Sequence, residues 1–146
     1  MKIEHIDHIH IAVRDLDAAV SFFEDILGIK FGKEYISEEL QVKCRIAPAG
    51  HVALELLQGT SEDSYYTKFV ESRGEGVQAI SFKVPDIDEA VEELEAKGVR
   101  VTERIELPLL REAECHHKDA HGVQIELCQY DAGHPMGFAL QEKTTT

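Results

Sequence analysis

The sequence is short of basic charge, of paired cysteines and of long apolar runs, and each shortage excludes a class of function. Fifteen Lys and Arg face 28 Asp and Glu, for a net charge of −13. Such a field repels phosphate backbones and anionic lipid, so neither nucleic acid nor a membrane surface is an expected partner. Three cysteines, Cys44, Cys115 and Cys128, form an odd, widely spaced set with no CxxC among them. They read as buried structural thiols of a reducing, cytoplasmic compartment. Apolar stretches run under ten residues, whereas spanning a bilayer takes about 20. Residues 1–13 carry Lys2, Glu4 and three histidines and no apolar h-region, so no secretory signal is expected there. A phosphate-binding glycine loop is missing too, since the glycines of RGEG open a strand. What is present, 43% apolar and 29% charged residues over 146 positions, is ordinary globular composition.

The chain repeats itself. Laying IDHIHIAVRDLDAAV over VQAISFKVPDIDEAV puts Val13 on Val84, Asp15 on Asp86, Asp17 on Asp88 and Ala19 on Ala90. Laying VALELLQ over VQIELCQ puts Glu55 on Glu126, and both overlays have the same offset of 71 residues (84 − 13 and 126 − 55). Two copies of one supersecondary unit are therefore expected, at about 2–59 and 75–130, with a linker at 60–74 and a C-terminal tail at 131–146. Together they would make a single domain.

Each copy has the same order of elements. A period-two run opens it, with Ile6, His8, His10 and Ala12 alternating against Asp7, Ile9, Ile11 and Val13, as in a strand. Asp15 caps a helix whose apolar stripe is Leu16, Ala19, Val20, Phe23 and Leu27, and Gly28 ends it. Asp86 and Gly98 bracket the second helix in the same way. Three β-rich runs follow each helix: Ile29–Ile36, Gln41–Pro48 and His51–Gln58, then Val99–Leu107, Arg111–Lys118 and Val123–Tyr130. The fold class expected is α+β, with two paired βαβββ modules forming an open, curled mixed sheet around a central pocket. The linker carries a short helix over Ser64–Arg73.

Polar residues inside these strands mark the candidate site. His8 and His10 lie two apart and share a face of the first strand. Glu55 and Glu126 stand at equivalent repeat positions among apolar neighbours, where a charge needs a reason. Imidazole nitrogen with carboxylate oxygen suits Zn, Co, Mn, Ni or Fe(II) better than Ca, and the sequence does not choose among them. The alternative is two edge-facing glutamates and a hydrogen-bonded histidine. The repeat partner of His8 is Ala79, so the set is one ligand short; water or His10 is expected to fill the place, and Gln78 should point to the other face. Of the other histidines, His5 is expected to be exposed, His51 to sit in a turn, His116, His117 and His121 to surround a strand end, and His134 to lie in the tail.

IDHIHIAV, VALELLQG, RGEGVQAISFKV and HGVQIELCQ, set in a doubled βαβββ unit, resemble the vicinal-oxygen-chelate (glyoxalase/bleomycin-resistance/dioxygenase) superfamily. Within it the likeness is greatest to the methylmalonyl-CoA epimerase family, over about residues 3–130. The resemblance implies a metal-dependent epimerase or isomerase of a small carbonyl compound, such as a CoA thioester. It carries metal-ligand roles to His8, Glu55 and Glu126, and puts the family's fourth ligand on Ala79. Lys43 of QVKCRIAPAG matches a family lysine that faces the pocket and neutralises a carboxylate or enolate. Glu55, Glu126 and Lys43 are thus the candidate catalytic residues, and His8, Glu55, Glu126 and His10 the candidate metal ligands. A CoA ester would call on basic groups such as Lys43, Arg45 and Lys118. A glyoxalase-type lyase, an Fe(II) ring-cleaving dioxygenase and a non-catalytic small-molecule binding protein are the alternatives on this scaffold. A homodimer in the cytoplasm is expected.

Overall fold

Alternation and capping, read along the chain, generate eight strands and three helices in the computed structural model, which describes residues 1–130. The expected tail at 131–146, with His134, lies outside the described residues. The order is β1 (His5–Ala12), α1 (Leu16–Leu27), β2 (Tyr35–Ser37), β3 (Val42–Ala49) and β4 (Val52–Gly59), then α2 (Tyr65–Arg73). The second copy runs β5 (Gly76–Lys83), α3 (Ile87–Ala96), β6 (Val101–Leu107), β7 (Leu110–Cys115) and β8 (Ile125–Tyr130). The class is α+β, and βαβββ occurs twice. Among the described residues no helix is long and apolar enough to cross a membrane.

The chain forms two compact units, one of Ile9–Gln78 and one of Met1–His8 with Ala79 onward. In the first, β2, β3 and β4 pair antiparallel, and the end of β1 joins β4 through Val13 N–H to Leu57 O at 2.9 Å. α1 covers one face, burying Val13, Leu16, Val20 and Leu56 together. In the second, β5 pairs parallel with β8, and β8, β7 and β6 run antiparallel. There α3 covers the face carrying Ala113 and Leu127, with Val84, Ile87, Ala90 and Val91. Each fully buried leucine or isoleucine contributes about 1.5–3 kcal/mol.

The repeat is written into the hydrogen bonds. Gln58 Oε1 accepts from Leu16 N–H at 2.8 Å, and Gln129 Oε1, 71 residues on, accepts from Ile87 N–H at 3.0 Å. The Asp15 and Asp86 carboxylates each accept from the third helical N–H at 3.0 Å. Val84 N–H to Cys128 O at 3.0 Å repeats the Val13–Leu57 bond. A helix start has orphan donors, and a glutamine at the end of the adjoining strand satisfies one of them in each copy.

The expected strands shortened most are the second and the seventh. Of Ile29–Ile36 only Tyr35 and Ile36 are extended in β2. Gly28 turns the chain at φ 65°, after which Phe31 N–H goes to the Glu24 carboxylate and Gly32 N–H to Ile46 O, single bonds in place of a ladder. The run Arg111–Lys118 stops at Cys115, because His116 Nδ1 accepts from Lys118 N–H and starts a 3-10 turn over His117–Ala120.

Candidate functional site

With α3 on one side of β7 and β8, alternation sends the remaining residues to the other face. There Glu126 stands opposite Glu114 in register, Cys128 opposite Glu112, and Ser81 of β5 beside Glu126. Glu126 is 1% exposed and Glu112 and Glu114 are 8% and 6%, burial that carboxylates accept only when matched. His8, 1% exposed, joins them from β1: its Nε2 lies 3.3 Å from Glu126 Oε1.

The other side of the His8 ring fixes its chemistry. Asp7, fully buried, accepts from His8 Nδ1–H at 2.9 Å through Oδ2, and from the Tyr130 hydroxyl at 2.6 Å through Oδ1. Burial works against a charged imidazole, yet hydrogen bonds to Asp7, Cys128 and Glu126 carry the His8 pKa well above its usual value. Burial likewise opposes ionisation of Asp7, but its bonds to His8 and Tyr130 hold its pKa below normal. Burial and the Asp7 charge push the Tyr130 hydroxyl far upward, so it remains a donor. A carboxylate on Nδ1 directs Nε2 of His8 toward Glu126, the arrangement in which histidines are oriented for metals.

The donor set fits a divalent cation. Ligand atoms of His8, Glu112 and Glu126 all lie within 4.8 Å of one another, one nitrogen and two carboxylate oxygens. Asp7, His8 and Cys128 form a second such group. It fits less well, because Asp7 already serves His8 and Tyr130, and burial pushes the Cys128 thiol away from the thiolate a metal needs.

His10 and Glu55 meet in the other unit. His10 Nε2 is 3.3 Å from Glu55 Oε2, and its Nδ1 is 3.1 Å from Gln78 Oε1. Gln78 Nε2 donates to the Tyr65 hydroxyl at 3.1 Å, which orients its carbonyl toward the ring and makes Nδ1 the donor. The edge of Tyr66 flanks His10, with centroids 6.5 Å apart. Both histidines thus have Nδ1 held by an oxygen and Nε2 turned to a glutamate.

Lys43 is not brought to Glu55. Register sets Glu55 opposite Ile46 and Lys43 opposite Gln58, so the lysine shares the α1-covered face of Leu56 and pairs with Glu34 at 3.9 Å. Arg45 shares that face and lies 4.0 Å from Asp17 of α1. Strand alternation thus places Lys43 on the opposite face of the sheet from Glu55. The cysteines form no disulfide, and Cys115 and Cys128 are buried.

Two buried acids were missed by reading the sequence, and the partner of a third polar residue was not foreseen. Glu112 and Glu114 lie two apart in REAEC, a period-two signal available in the sequence itself. Gln78 was seen, but not as the partner of His10; a glutamine inside VQAISF was the signal.

Comparison with known proteins points in one direction. A profile of the Glyoxalase/Bleomycin resistance protein/Dioxygenase superfamily matches residues 7–108. The Bacillus subtilis protein YqjC is 32% identical over 127 residues, 85% of this chain and 91% of its own. Mouse mitochondrial methylmalonyl-CoA epimerase is 30% identical over 139 residues, 88% of this chain and 74% of its own. A structure of a Streptomyces coelicolor methylmalonyl-CoA epimerase variant in complex with 2-nitronate-propionyl-CoA superposes with a TM-score of 0.81 at 34% identity, covering 90% of this chain and 97% of that one.

Proposed function

Because the chain belongs to the Glyoxalase/Bleomycin resistance protein/Dioxygenase superfamily, we propose that it is a metal-dependent epimerase that moves the proton beside the carbonyl of a CoA thioester. The observation that carries this reading is the His8 ring, held at Nδ1 by a buried aspartate and presenting Nε2 beside Glu126. The epimerase relatives support the reaction class.

His8 and Glu126 would hold the cation. Bound there, a divalent metal supplies Lewis acidity toward a carbonyl oxygen, which makes the neighbouring C–H more acidic. The rest of the work falls to side chains. Glu55, the repeat counterpart of Glu126, is assigned to take and return the proton. His10 positions that carboxylate through Nε2, and Gln78 holds the His10 ring. Apolar neighbours Leu56 and Leu57 keep the Glu55 strand dry, which strengthens local electrostatics. The enzyme is taken to act as a cytoplasmic homodimer, which light scattering tests for assembly.

The test is deuterium uptake from D2O into methylmalonyl-CoA, followed by mass spectrometry with cobalt(II) supplied. Wild-type protein should exchange the proton, and His8→Ala and Glu55→Gln should lose it. No exchange by the wild type, or full exchange by Glu55→Gln, would sink the assignment. One observation favours a second reading: alanine occupies position 79, the repeat partner of His8. A binding protein of this fold would then hold the thioester without exchanging its proton.

A further inference from the structure

We infer that Glu112 is a third protein ligand of the cation, taking up on β7 the coordination place that Ala79 cannot fill. The inference rests on the proposed metal site at His8 and Glu126, and extends it to a residue of a strand that contributed none of the ligands expected from the sequence.

Four observations carry it. A Glu112 carboxylate oxygen lies within 4.8 Å of the His8 and Glu126 ligand atoms. Register places Glu112 opposite Cys128, on the Glu126 face that α3 leaves to polar groups. Its neighbour Glu114 accepts from Gln124 Nε2 at 2.9 Å and, among the described residues, joins no such group of ligand atoms, so the two buried acids of β7 are not interchangeable. The repeat supplies the fourth observation. Cys44 pairs with Leu57 as Glu112 pairs with Cys128, so the first copy has a thiol at this register position and only the second has an acid. The copy that carries alanine at position 79 is the copy that carries Glu112.

Charge favours the same conclusion. A divalent cation taking the place of the His8 Nε2 proton would balance the charge of the two buried carboxylates beside that ring. Three protein ligands also match the catalytic arrangement in which a metal keeps a coordination position open to water or substrate. Replacing the histidine of the family pattern by a carboxylate hardens the site, shifting preference toward oxygen-loving cations such as Mn(II).

The test uses the full chain, stripped with chelator and titrated with cobalt(II) chloride, read by visible absorption. Wild-type protein should bind one cobalt per chain. Glu112→Gln should weaken binding by about 100-fold, at least the cost of losing an outer partner of a ligand, and change the visible bands. Glu114→Gln should leave affinity and spectrum as they are. Glu112→Cys should add a thiolate-to-cobalt charge-transfer band over the wild-type background, a signal that direct ligation alone produces. If Glu112→Gln retains wild-type affinity and bands, and Glu112→Cys adds no new band, while His8→Ala abolishes binding, Glu112 is not a ligand and the site at His8 and Glu126 stands. If the wild type binds no cobalt, the metal reading itself falls, and this inference with it. Thermal melts of the metal-free variants separate loss of a ligand from loss of folding.

Discussion

Replacing Asp7 by asparagine removes a charge while keeping the shape of the side chain. Asp7 accepts from His8 Nδ1–H at 2.9 Å, from Tyr130 at 2.6 Å and from His5 Nε2 at 3.3 Å. The His5 contact is partly exposed and adds little. The other two are buried bonds to a charged group, worth about 1.5–3 kcal/mol each. Asparagine can keep its oxygen on His8 and turn its amide toward Tyr130, whose hydroxyl rotates to accept. The geometry then survives and the charge assistance is lost from both bonds, a cost of about 2–3 kcal/mol. For a chain of this size that lowers the melting temperature by roughly 5–10 °C. His8 also loses the carboxylate that raises its basicity, so cobalt(II) affinity should fall by about tenfold or more. The assays are urea unfolding of the metal-free protein and a cobalt titration. Tyr130→Phe and the double variant complete a cycle: both single losses include the charge assistance of the Asp7–Tyr130 bond, so the double loss should fall short of their sum. An Asp7→Asn protein with wild-type stability and wild-type cobalt affinity would refute the idea that Asp7 holds His8.

Three further outcomes follow from the same structure. Gln58→Ala and Gln129→Ala each strand the N–H of a buried residue, Leu16 or Ile87, and each should cost about 1–3 kcal/mol in urea unfolding; losses that differ widely would argue against equivalent roles. Gly59→Ala should destabilise by about 1–3 kcal/mol, because the added Cβ would fall 2.7 Å from Ser64 Oγ and 2.8 Å from Thr67 N; an unchanged melting temperature would contradict that packing. Hydrogen bonds from the Arg100 guanidinium and backbone hold the Asp119 carboxyl well below its usual range. Folding lowers this pKa, so the pair stabilises above about pH 4 and its contribution fades as acid is added. The stability gap between wild type and Asp119→Asn should therefore shrink from pH 7 to pH 2, and a constant gap would contradict the pairing.

Local chemistry made much of the architecture legible. Asp15, Gly28 and Asp86 are short-range signals whose meaning depends on adjacent residues, and each helix terminates as they indicate. The 71-residue offset carried long-range information that single residues lack, and it gives Gln58 and Gln129 the same role at the starts of α1 and α3. Failures came where a partner lies far away in sequence. The Ile29–Glu34 run has strand composition, but its donors are taken by Glu24 and Ile46, which local pattern does not reveal. Lys43 was placed by resemblance, and only the β3–β4 register shows which face it occupies. Glu126 could be tied to Glu55 through the repeat; Glu112 could not, because its counterpart Cys44 carries no similar chemistry.

The division of β1 has a consequence for how such a chain arose and how it can be cut. His8 and Asp7 come from the first sequence repeat, yet they belong to the unit otherwise made from Ala79 onward, alongside Glu112 and Glu126 of the second. Neither repeat, expressed alone, contains that donor set. A single-repeat ancestor would have had to exchange its opening strand with another copy before it could assemble one. Fragments divided between α2 and β5 would each lack part of that donor set, and mixing them tests whether the two halves recombine.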